Sequence, residues 1–263
     1  MTSIAIYVDS THKRSRIVAE AMKQGLMRHN IIPKMLTNKG GDPVADVAIA
    51  YGWTHEKIFK KYDNFVYFDL GFWDRKPDKN PKEGNYRVAV NNWSCHVNMR
   101  RGMPDDRWLA SGIKLVEPVR RDNIVIACMS QKGAKTQGFE YLQWEKDIYR
   151  SIRTSKRIVV REKPVKNSHH VMLDVELLQT HAVVTQSSNV AVDALIHGNI
   201  VYAENGVGKL FSISDLDNLD AEKPVSDAQR VALLSDIAYS QYTPAEMRSG
   251  LAWEYVRENC ISH

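Results

Sequence analysis

The strongest chemical signal in the sequence is a short polar turn that separates two apolar runs, residues 181–185 and 199–204. Serine and asparagine are good residues for beginning a helix, and Gly198 suits the left-handed position just after a helix end. The pattern therefore predicts a strand, a tight turn, a short helix and a second strand. Backbone N–H groups and the helix dipole favour an anion at such a helix start. We expect a phosphate group to bind at the turn, which consists of Gln186, Ser187, Ser188 and Asn189.

Two other turns that follow apolar runs contain cations and backbone groups suited to a diphosphate. One is the predicted loop 131–138, after the run 123–128, and the other ends the run 157–161. Parallel strands end at one common edge of their sheet, so all three turns are expected together where α/β folds bind ligands. A surface loop and a solvated strand end remain alternative interpretations. The candidates for diphosphate binding in these two turns are Gln131, Lys132, Gly133, Arg161 and Lys163.

One carboxylate completes the predicted donor site. Glu204 ends the run 199–204, where it could accept hydrogen bonds from ribose or sugar hydroxyls; an exposed strand end explains it equally well. The glycine spacing around Gly133 lacks the full pattern of a P-loop, which excludes an ordinary ATPase.

Acid–base chemistry is expected in the first half of the chain. Asp9 and His12 follow the apolar run 4–8, and Asp69 ends the run 64–69. Either aspartate, or the histidine, could act as a general base on an acceptor hydroxyl. An aspartate at a strand end is also a common cap, and the sequence leaves the choice between Asp9 and Asp69 open.

Residues 71–104 break the rhythm of strands and helices with several glycines, prolines and tryptophans. Long irregular segments in compact domains are often functional. Tryptophans are more often core residues than ligand platforms, but stacking of a base on them is conceivable here. The candidates for acceptor binding are Trp73, Arg75, Asn91, Asn92, His96 and Arg100.

Composition limits the kind of protein. The 263 residues can form one large or two modest α/β domains. A net charge of +5 fits either polyanion binding or an ordinary basic protein. The three cysteines and the pair His169-His170 lack metal-ligand spacing, so no metal and reduced cytoplasmic thiols are expected. No run of about 18 apolar residues is present, so no membrane span is predicted.

The order of predicted elements indicates the domain organisation. Short apolar runs alternate with helices in both halves, which favours parallel sheets with helices on both faces. We expect one domain at 1–118, a second domain at 119–240, and a C-terminal helical segment at 241–263. In that segment Thr243, Pro244 and Glu246 form a predicted capping box.

The motifs of the C-terminal half resemble the donor half of glycosyltransferases of the GT-B type, including capsular-polysaccharide enzymes. The resemblance lies in the three turns described above and in the small-residue helix that ends at Gly198. In that family a serine-rich turn before such a helix holds the nucleotide diphosphate. Residues 69–75 and 238–253 resemble small phage-encoded glycosyltransferases that act on DNA bases.

The resemblance implies an α/β, GT-B-like fold: two Rossmann-type domains facing across a cleft, with the C-terminal helix returning to the first domain. It implies that the first domain, 1–118, binds the acceptor and that the second, 119–240, binds the nucleotide-sugar. It implies transfer of a hexose or pentose from a nucleotide-sugar, UDP-sugar favoured, without a tightly bound cofactor or a metal. The favoured acceptor is a hydroxymethylated base, such as hydroxymethylcytosine, in double-stranded phage DNA. The location would be the cytoplasm, that of the host if the protein is phage-encoded, with no membrane partner.

Two other functions remain open. One is a glycosyltransferase of polysaccharide or lipid-linked glycan assembly, against which the lack of a basic amphipathic membrane helix argues. The other is a non-catalytic nucleic-acid-binding protein. The sequence gives neither the sugar, nor the stereochemical outcome, nor the oligomeric state.

Overall fold

A computed structural model gives the structure of the protein, and it describes residues 2–37, 43–52, 56–75, 80, 82–163 and 171–260. The chain separates into two compact units. Unit 1 consists of residues 1–101 and 236–263, and unit 2 of residues 102–235. The predicted divisions after residues 118 and 240 therefore lie later than the boundaries of these units. The segment before residue 118 belongs to unit 2 because its backbone bonds there: the Val116 N–H donates to the Ile196 carbonyl at 2.9 Å.

The strands and helices alternate in most of the described chain. The strands are β1 (Ile4–Tyr7), β2 (Lys34–Leu36), β3 (Val47–Tyr51), β4 (Asn64–Leu70), β5 (Tyr86–Val90), β6 (Asn123–Ala127), β7 (Arg157–Arg161), β8 (Thr180–Thr185), β9 (Ile200–Ala203) and β10 (Gln241–Tyr242). The helices are α1 (Lys13–Arg28), α2 (Glu56–Phe59), α3 (Asp106–Ala110), α4 (Gln131–Thr136), α5 (Gln143–Ser151), α6 (Leu173–Leu177), α7 (Val190–Ile196), α8 (Asp227–Ala238), α9 (Pro244–Ser249) and α10 (Leu251–Cys260).

Unit 1 contains a six-stranded sheet in the order β10-β5-β4-β3-β1-β2. Strands β1 to β4 are parallel, but β5 is antiparallel to β4 and β10 is antiparallel to β5. The expectation of a wholly parallel sheet is therefore wrong for these two strands. Leu70, at the end of β4, pairs with Tyr86 at the start of β5, and Val66 pairs with Val90. The apolar pattern of β5 indicates a strand but carries no information about its direction.

The helices of unit 1 pack closely at one glycine. Helix α1 buries Val18, Met22 and Leu26 in the core, and their spacing of four residues places them on one face of the helix. At Gly25 it meets α9 so tightly that a Cβ atom would lie 2.0 Å from the Met247 carbonyl oxygen. The predicted capping box begins α9: the Thr243 N–H donates to the Glu246 carboxylate at 2.7 Å, and the Glu246 N–H donates to Thr243 Oγ1 at 3.2 Å.

Unit 2 contains a four-stranded, wholly parallel sheet in the order β7-β6-β8-β9. Its central strands are buried on both faces, as expected for a parallel sheet covered by helices. Helix α7 follows β8 and ends before Gly198, which has the predicted positive φ of +64°. None of the helices within the described ranges is long and apolar enough to cross a lipid bilayer.

Candidate functional site

The parallel sheet of unit 2 brings the predicted donor residues to one edge. Because its four strands are parallel, their carboxyl ends lie on the same side of the sheet. The turn 186–189 follows β8, and Glu204 directly follows β9. The other predicted donor residues are at the ends of β6 and β7: Gln131, Lys132, Gly133, Arg161 and Lys163.

A buried threonine stabilises the turn between β8 and α7 through two hydrogen bonds. Thr185 Oγ1 accepts a hydrogen bond from the Ser188 N–H at 3.1 Å and donates to the Ala127 carbonyl at 3.1 Å. Ser188 Oγ accepts from the Val190 N–H at 3.3 Å, and the Ser188 carbonyl accepts from the Ala191 N–H at 3.1 Å. The first N–H groups of α7 are therefore bonded to Ser188, within the turn itself.

Neighbouring segments brace the same turn on both sides. Ser187 Oγ accepts a hydrogen bond from Gln137 Nε2 at 3.0 Å, and the Gln186 carbonyl accepts from the Asn205 N–H at 2.7 Å. Gly206 has a φ of +74° and lies so close that a Cβ atom there would be 2.9 Å from the Ser187 carbonyl oxygen. These supports are non-local, so the sequence alone did not indicate Gln137 or Gly206.

The segment predicted as the loop 131–138 begins instead with the short helix α4. Ser130 caps it, because its Oγ accepts a hydrogen bond from the Gly133 N–H at 3.1 Å. Serine at the N-cap makes this helix start favourable despite the glycine in its first turn. The Gln131 and Lys132 side chains are exposed on α4, so the lysine ammonium can approach an anion bound at the edge.

The predicted role of Arg161 in neutralising a diphosphate finds less support. Its Nη1 donates to the Glu176 carboxylate at 2.5 Å and to the Val171 carbonyl at 3.0 Å. Both charged side chains of this pair are mostly buried. The positive charge of Arg161 is therefore balanced within unit 2, whereas Lys163 is exposed two residues further on.

Glu204 lies beside a tryptophan of α5. The indole Nε1 of Trp144 donates to Glu204 Oε2 at 2.8 Å, and the glutamate is exposed. Burial, followed by the charge of Glu204, raises the pKa of Tyr202 above its usual value. This carboxylate is thus oriented and accessible, as a group that binds hydroxyls must be.

A second glutamate at this edge, Glu145, was not predicted. It is 2% exposed, and its Oε1 accepts a hydrogen bond from the Met129 N–H at 2.7 Å. The sequence feature that could have indicated a buried Glu145 is its position next to Trp144, on the face of α5 that also carries Ile148. Burial, with Glu145 and Glu162 nearby, raises the pKa of the Cys128 thiol to about 12, which rules out this cysteine as a thiolate nucleophile at neutral pH.

In unit 1, Asp69 belongs to a buried charge cluster. It accepts hydrogen bonds from the Tyr67 hydroxyl at 2.5 Å, from Arg87 Nη2 at 3.2 Å and from the Leu70 N–H at 2.8 Å. Burial alone would raise the pKa of Asp69, but the Arg87 guanidinium and these hydrogen bonds outweigh burial and hold the pKa below its usual value. A carboxylate stabilised in this way is a weak base.

Asp9 and His12 lie at the end of β1. Asp9 Oδ1 accepts from the Thr11 N–H at 3.0 Å and from the Thr11 hydroxyl at 2.6 Å. His12 caps α1, with its Nδ1 accepting from the Ser15 N–H at 3.4 Å, and its ring stacks on Tyr51 with 5.4 Å between centroids. Because Nδ1 is an acceptor here, the proton of the neutral imidazole lies on Nε2, which favours a donor role over a base role.

Three predicted acceptor residues lie at the opposite edge of the unit 1 sheet. Asn91 and Asn92 follow the end of β5, which is antiparallel to β4, and His96 comes soon after. Asn91 Oδ1 accepts from the Phe65 N–H at 2.7 Å at the start of β4, and His96 Nδ1 contacts Ser94 Oγ at 2.8 Å. The structure therefore does not bring these residues together with Asp9 and Asp69.

The other three predicted acceptor residues have structural contacts. Trp73 is 6% exposed, which leaves no face for stacking a base. Arg75 donates from Nε and Nη2 to the Phe72 carbonyl, at 3.0 and 2.7 Å. Arg100 pairs with Glu258 of α10 and lies over the ring of Tyr255.

Within the described ranges, no three His, Cys, Asp or Glu side chains lie close enough together to bind a metal ion. The pair His169-His170 lies outside the described residues.

Comparison with known proteins identifies the fold. No protein-family model matches the chain, and no curated protein matches it. Two solved structures of KpsC from Thermosulfurimonas dismutans align over nearly the whole chain. One, a β-Kdo 2,4-transferase, is 11% identical with a TM-score of 0.55, covering 99% of this chain and 98% of its own. The other, a β-Kdo 2,7-transferase, is 12% identical with a TM-score of 0.52, covering 96% and 99%.

The fold of this chain is therefore GT-B-like. This confirms the predicted fold class. At 11–12% identity the likeness concerns the fold alone. The resemblance to phage-encoded enzymes that act on DNA bases receives no support from these neighbours.

Proposed function

We propose that the protein is a glycosyltransferase that moves a sugar from a nucleotide-sugar donor to a hydroxyl acceptor. The observation that carries the proposal is the polar edge of the GT-B-like unit 2, where hydroxyl, cationic and carboxylate side chains lie at the carboxyl ends of parallel strands. This edge is where open α/β sheets bind nucleotides.

The donor phosphate would bind at the turn after β8. Ser187 and Ser188 would donate their hydroxyl hydrogens, and Lys132 would neutralise charge from the exposed face of α4. Such preformed dipoles and cations stabilise a departing phosphate without a metal. Glu204 would bind ribose or sugar hydroxyls, because its carboxylate is exposed and held by Trp144.

The base for the acceptor hydroxyl would be Asp9, not Asp69. The Arg87 guanidinium and the hydrogen bonds from Tyr67 and Leu70 favour the charged form of Asp69, so it gains little by taking a proton. Asp9 is half-buried, and its Oδ1 accepts hydrogen bonds from the Thr11 N–H and the Thr11 hydroxyl. His12, with Nδ1 engaged, would donate from Nε2 to the acceptor.

The experiment that tests the donor site is a thermal-shift and titration screen of UDP-, GDP- and CMP-sugars. A ligand that binds only the native state raises the melting temperature. Ser188→Ala should weaken binding of the active donor by roughly tenfold, the usual effect of losing one hydrogen bond to a charged group. Ser151→Ala, at the far end of α5, is the matched control. Unchanged donor affinity in Ser188→Ala would remove the site assignment.

For the acceptor we propose a hydroxymethylated base in double-stranded phage DNA, which an enzyme of this kind would flip from the duplex. The net charge of +5 and the cations Lys13, Arg14 and Arg16 at the start of α1 favour a polyanion. Such an enzyme would work in the cytoplasm of the infected host. The assay is sugar transfer to hydroxymethylcytosine DNA. Transfer to a soluble glycan, with none to DNA, would contradict the DNA acceptor.

A second candidate is glycan assembly, favoured by the two KpsC neighbours, whose own activities are Kdo transfers. Transfer to oligosaccharide acceptors would support it. A non-catalytic nucleic-acid-binding protein predicts instead salt-sensitive DNA binding, no nucleotide-sugar binding and no effect of Asp9→Ala.

A further inference from the structure

A glutamine at the end of α4 contacts the turn that follows β8. Gln137 directly follows α4, and its backbone N–H lies 3.1 Å from the Gly133 carbonyl and 3.0 Å from the Ala134 carbonyl. Its half-buried side chain contacts Met129, just after β6, and Ser187, just after β8. The Gln137 side chain therefore links the segments that follow two paired strands of the unit 2 sheet.

The thioether of Met129 determines which way the Gln137 amide faces. Gln137 Nε2 lies 3.6 Å from Met129 Sδ and 3.0 Å from Ser187 Oγ. A thioether sulfur accepts hydrogen bonds but has no hydrogen to donate, whereas an amide nitrogen has two hydrogens. If the amide were turned over, its oxygen would face the sulfur as a second acceptor. The amide therefore directs one N–H bond at the sulfur and the other at the Ser187 hydroxyl.

This amide orientation affects the hydrogen of the Ser187 hydroxyl. A hydroxyl oxygen that accepts from an N–H group presents a lone pair to it, so its own hydrogen points elsewhere. Gln137 Oε1 lies 3.4 Å from Ser187 Oγ, whereas an ordinary hydrogen bond between two oxygens measures about 2.5–3.0 Å. Gln137 therefore holds the serine oxygen firmly and the serine hydrogen only weakly. Accepting a hydrogen bond also polarises the hydroxyl into a better donor.

We propose that Gln137 is a positioning residue, which orients the Ser187 hydroxyl so that its hydrogen is donated to a phosphate oxygen of the nucleotide-sugar. The proposal rests on the donor function assigned above to the same turn. Gln137 acts through Ser187 and does not touch the phosphate. On donor binding the hydroxyl hydrogen leaves the long contact with Oε1 for the phosphate, while Nε2 continues to donate to the serine oxygen. The shorter of the two contacts is therefore kept in the complex.

The test is a double-mutant cycle in which titration calorimetry measures the binding of UDP, GDP and CDP. Gln137→Met keeps a long side chain but removes the amide, so it should weaken binding of the preferred diphosphate by roughly 2- to 10-fold, the range of one neutral hydrogen bond. Ser187→Ala should weaken it by roughly tenfold, because a hydrogen bond to a charged group is lost. Because Gln137 acts through Ser187, Gln137→Met should have no further effect in the Ser187→Ala protein.

Gln137→Glu separates orientation of the hydroxyl from support of the fold. A carboxylate at this position can only accept, so it would draw the Ser187 hydrogen away from the phosphate. Although glutamate matches the shape of glutamine more closely than methionine does, this variant should therefore bind the diphosphate more weakly than Gln137→Met. A residue that only supports the fold would give the opposite order. This comparison also keeps the test decisive if Gln137→Met lowers the melting temperature.

Gln179→Met is the matched control, because Gln179 is exposed just before the opposite end of β8, and it should leave diphosphate affinity unchanged. Losses that add in the double variant, or wild-type affinity in Ser187→Ala or in both Gln137 variants, would overturn the positioning role and leave the transferase standing. If the wild-type protein binds neither the three diphosphates nor any nucleotide-sugar, the donor site and the positioning role are both overturned.

Discussion

Arg230 should be the side chain on which the stability of unit 2 depends most. It is 1% exposed although it carries a full charge. Its guanidinium donates to the carbonyls of Leu195 at 2.9 Å, Ile196 at 2.5 Å and Val116 at 2.7 Å. It thereby caps the C-terminus of α7, the helix that follows the proposed phosphate turn, and ties it to the segment that enters the unit.

The loss of unfolding free energy on substitution of Arg230 should come mainly from its hydrogen bonds to carbonyls and not from its ion pairs. The two carboxylate partners of Arg230, Glu117 and Asp227, are 62% and 74% exposed. Exposed pairs contribute only about 0–1 kcal/mol each. Each hydrogen bond lost between the charged guanidinium and a carbonyl costs about 1–3 kcal/mol, and the Leu195 and Ile196 carbonyls each keep one backbone N–H donor. Arg230→Met should therefore lower the free energy of unfolding by about 3–5 kcal/mol, a large part of the roughly 5–15 kcal/mol of a typical domain.

Urea unfolding followed by tryptophan fluorescence measures this effect, since Trp108 and Trp144 report on unit 2. Arg230→Lys should fall between wild type and Arg230→Met, because one ammonium cannot reproduce a forked guanidinium. Glu117→Gln is the matched control and should cost less than about 1 kcal/mol. The reasoning is refuted if Arg230→Met unfolds at the wild-type urea concentration, or if Glu117→Gln costs as much as Arg230→Met.

Three further predictions concern the turn and the titrating groups. Gly206→Ala should destabilise unit 2 by at least about 2 kcal/mol and weaken donor binding, because its Cβ would press on the Ser187 carbonyl; Gly112→Ala, with a similar φ and open space around it, should cost about 1 kcal/mol and leave donor binding unchanged. Because the pKa of Asp69 is lowered in the folded state, its stabilising contribution should be complete above about pH 4 and lost as the pH falls below; unfolding of Asp69→Asn should lack that step, and an identical acid limb would contradict it. Burial lowers the pKa of His181, so stability should decline as the pH falls below about 6.5, and His181→Gln should flatten that decline in pH-dependent urea unfolding.

The sequence predicted what depends on neighbours along the chain. Three local predictions were confirmed: the turn before α7, the end of helix α7 at Gly198, and the capping box of α9. Each of these features is specified by residues within one helical turn. Parallel pairing then brought the donor candidates to one edge. Contacts between residues that are far apart in the sequence were not predicted. The direction of β5, the contacts of Arg230 with residues 116 and 195, and the support of Ser187 by Gln137 all depend on segments far apart in the chain.

The same difference between local and long-range contacts separates charged side chains that are held in ion pairs from charged side chains that can act on a substrate. Asp69 and Arg161 lie at or next to the carboxyl ends of their strands, where ligands bind in α/β folds. The sequence alone did not distinguish them from Asp9 and Lys132. In the structure the first two are paired with Arg87 and Glu176, and removing either partner would leave a buried charge uncompensated. A general base or a phosphate-binding cation must instead change its partners during the reaction, which a buried ion pair resists. Lys132, which is exposed on α4, is therefore the residue whose substitution should reduce transfer without reducing stability.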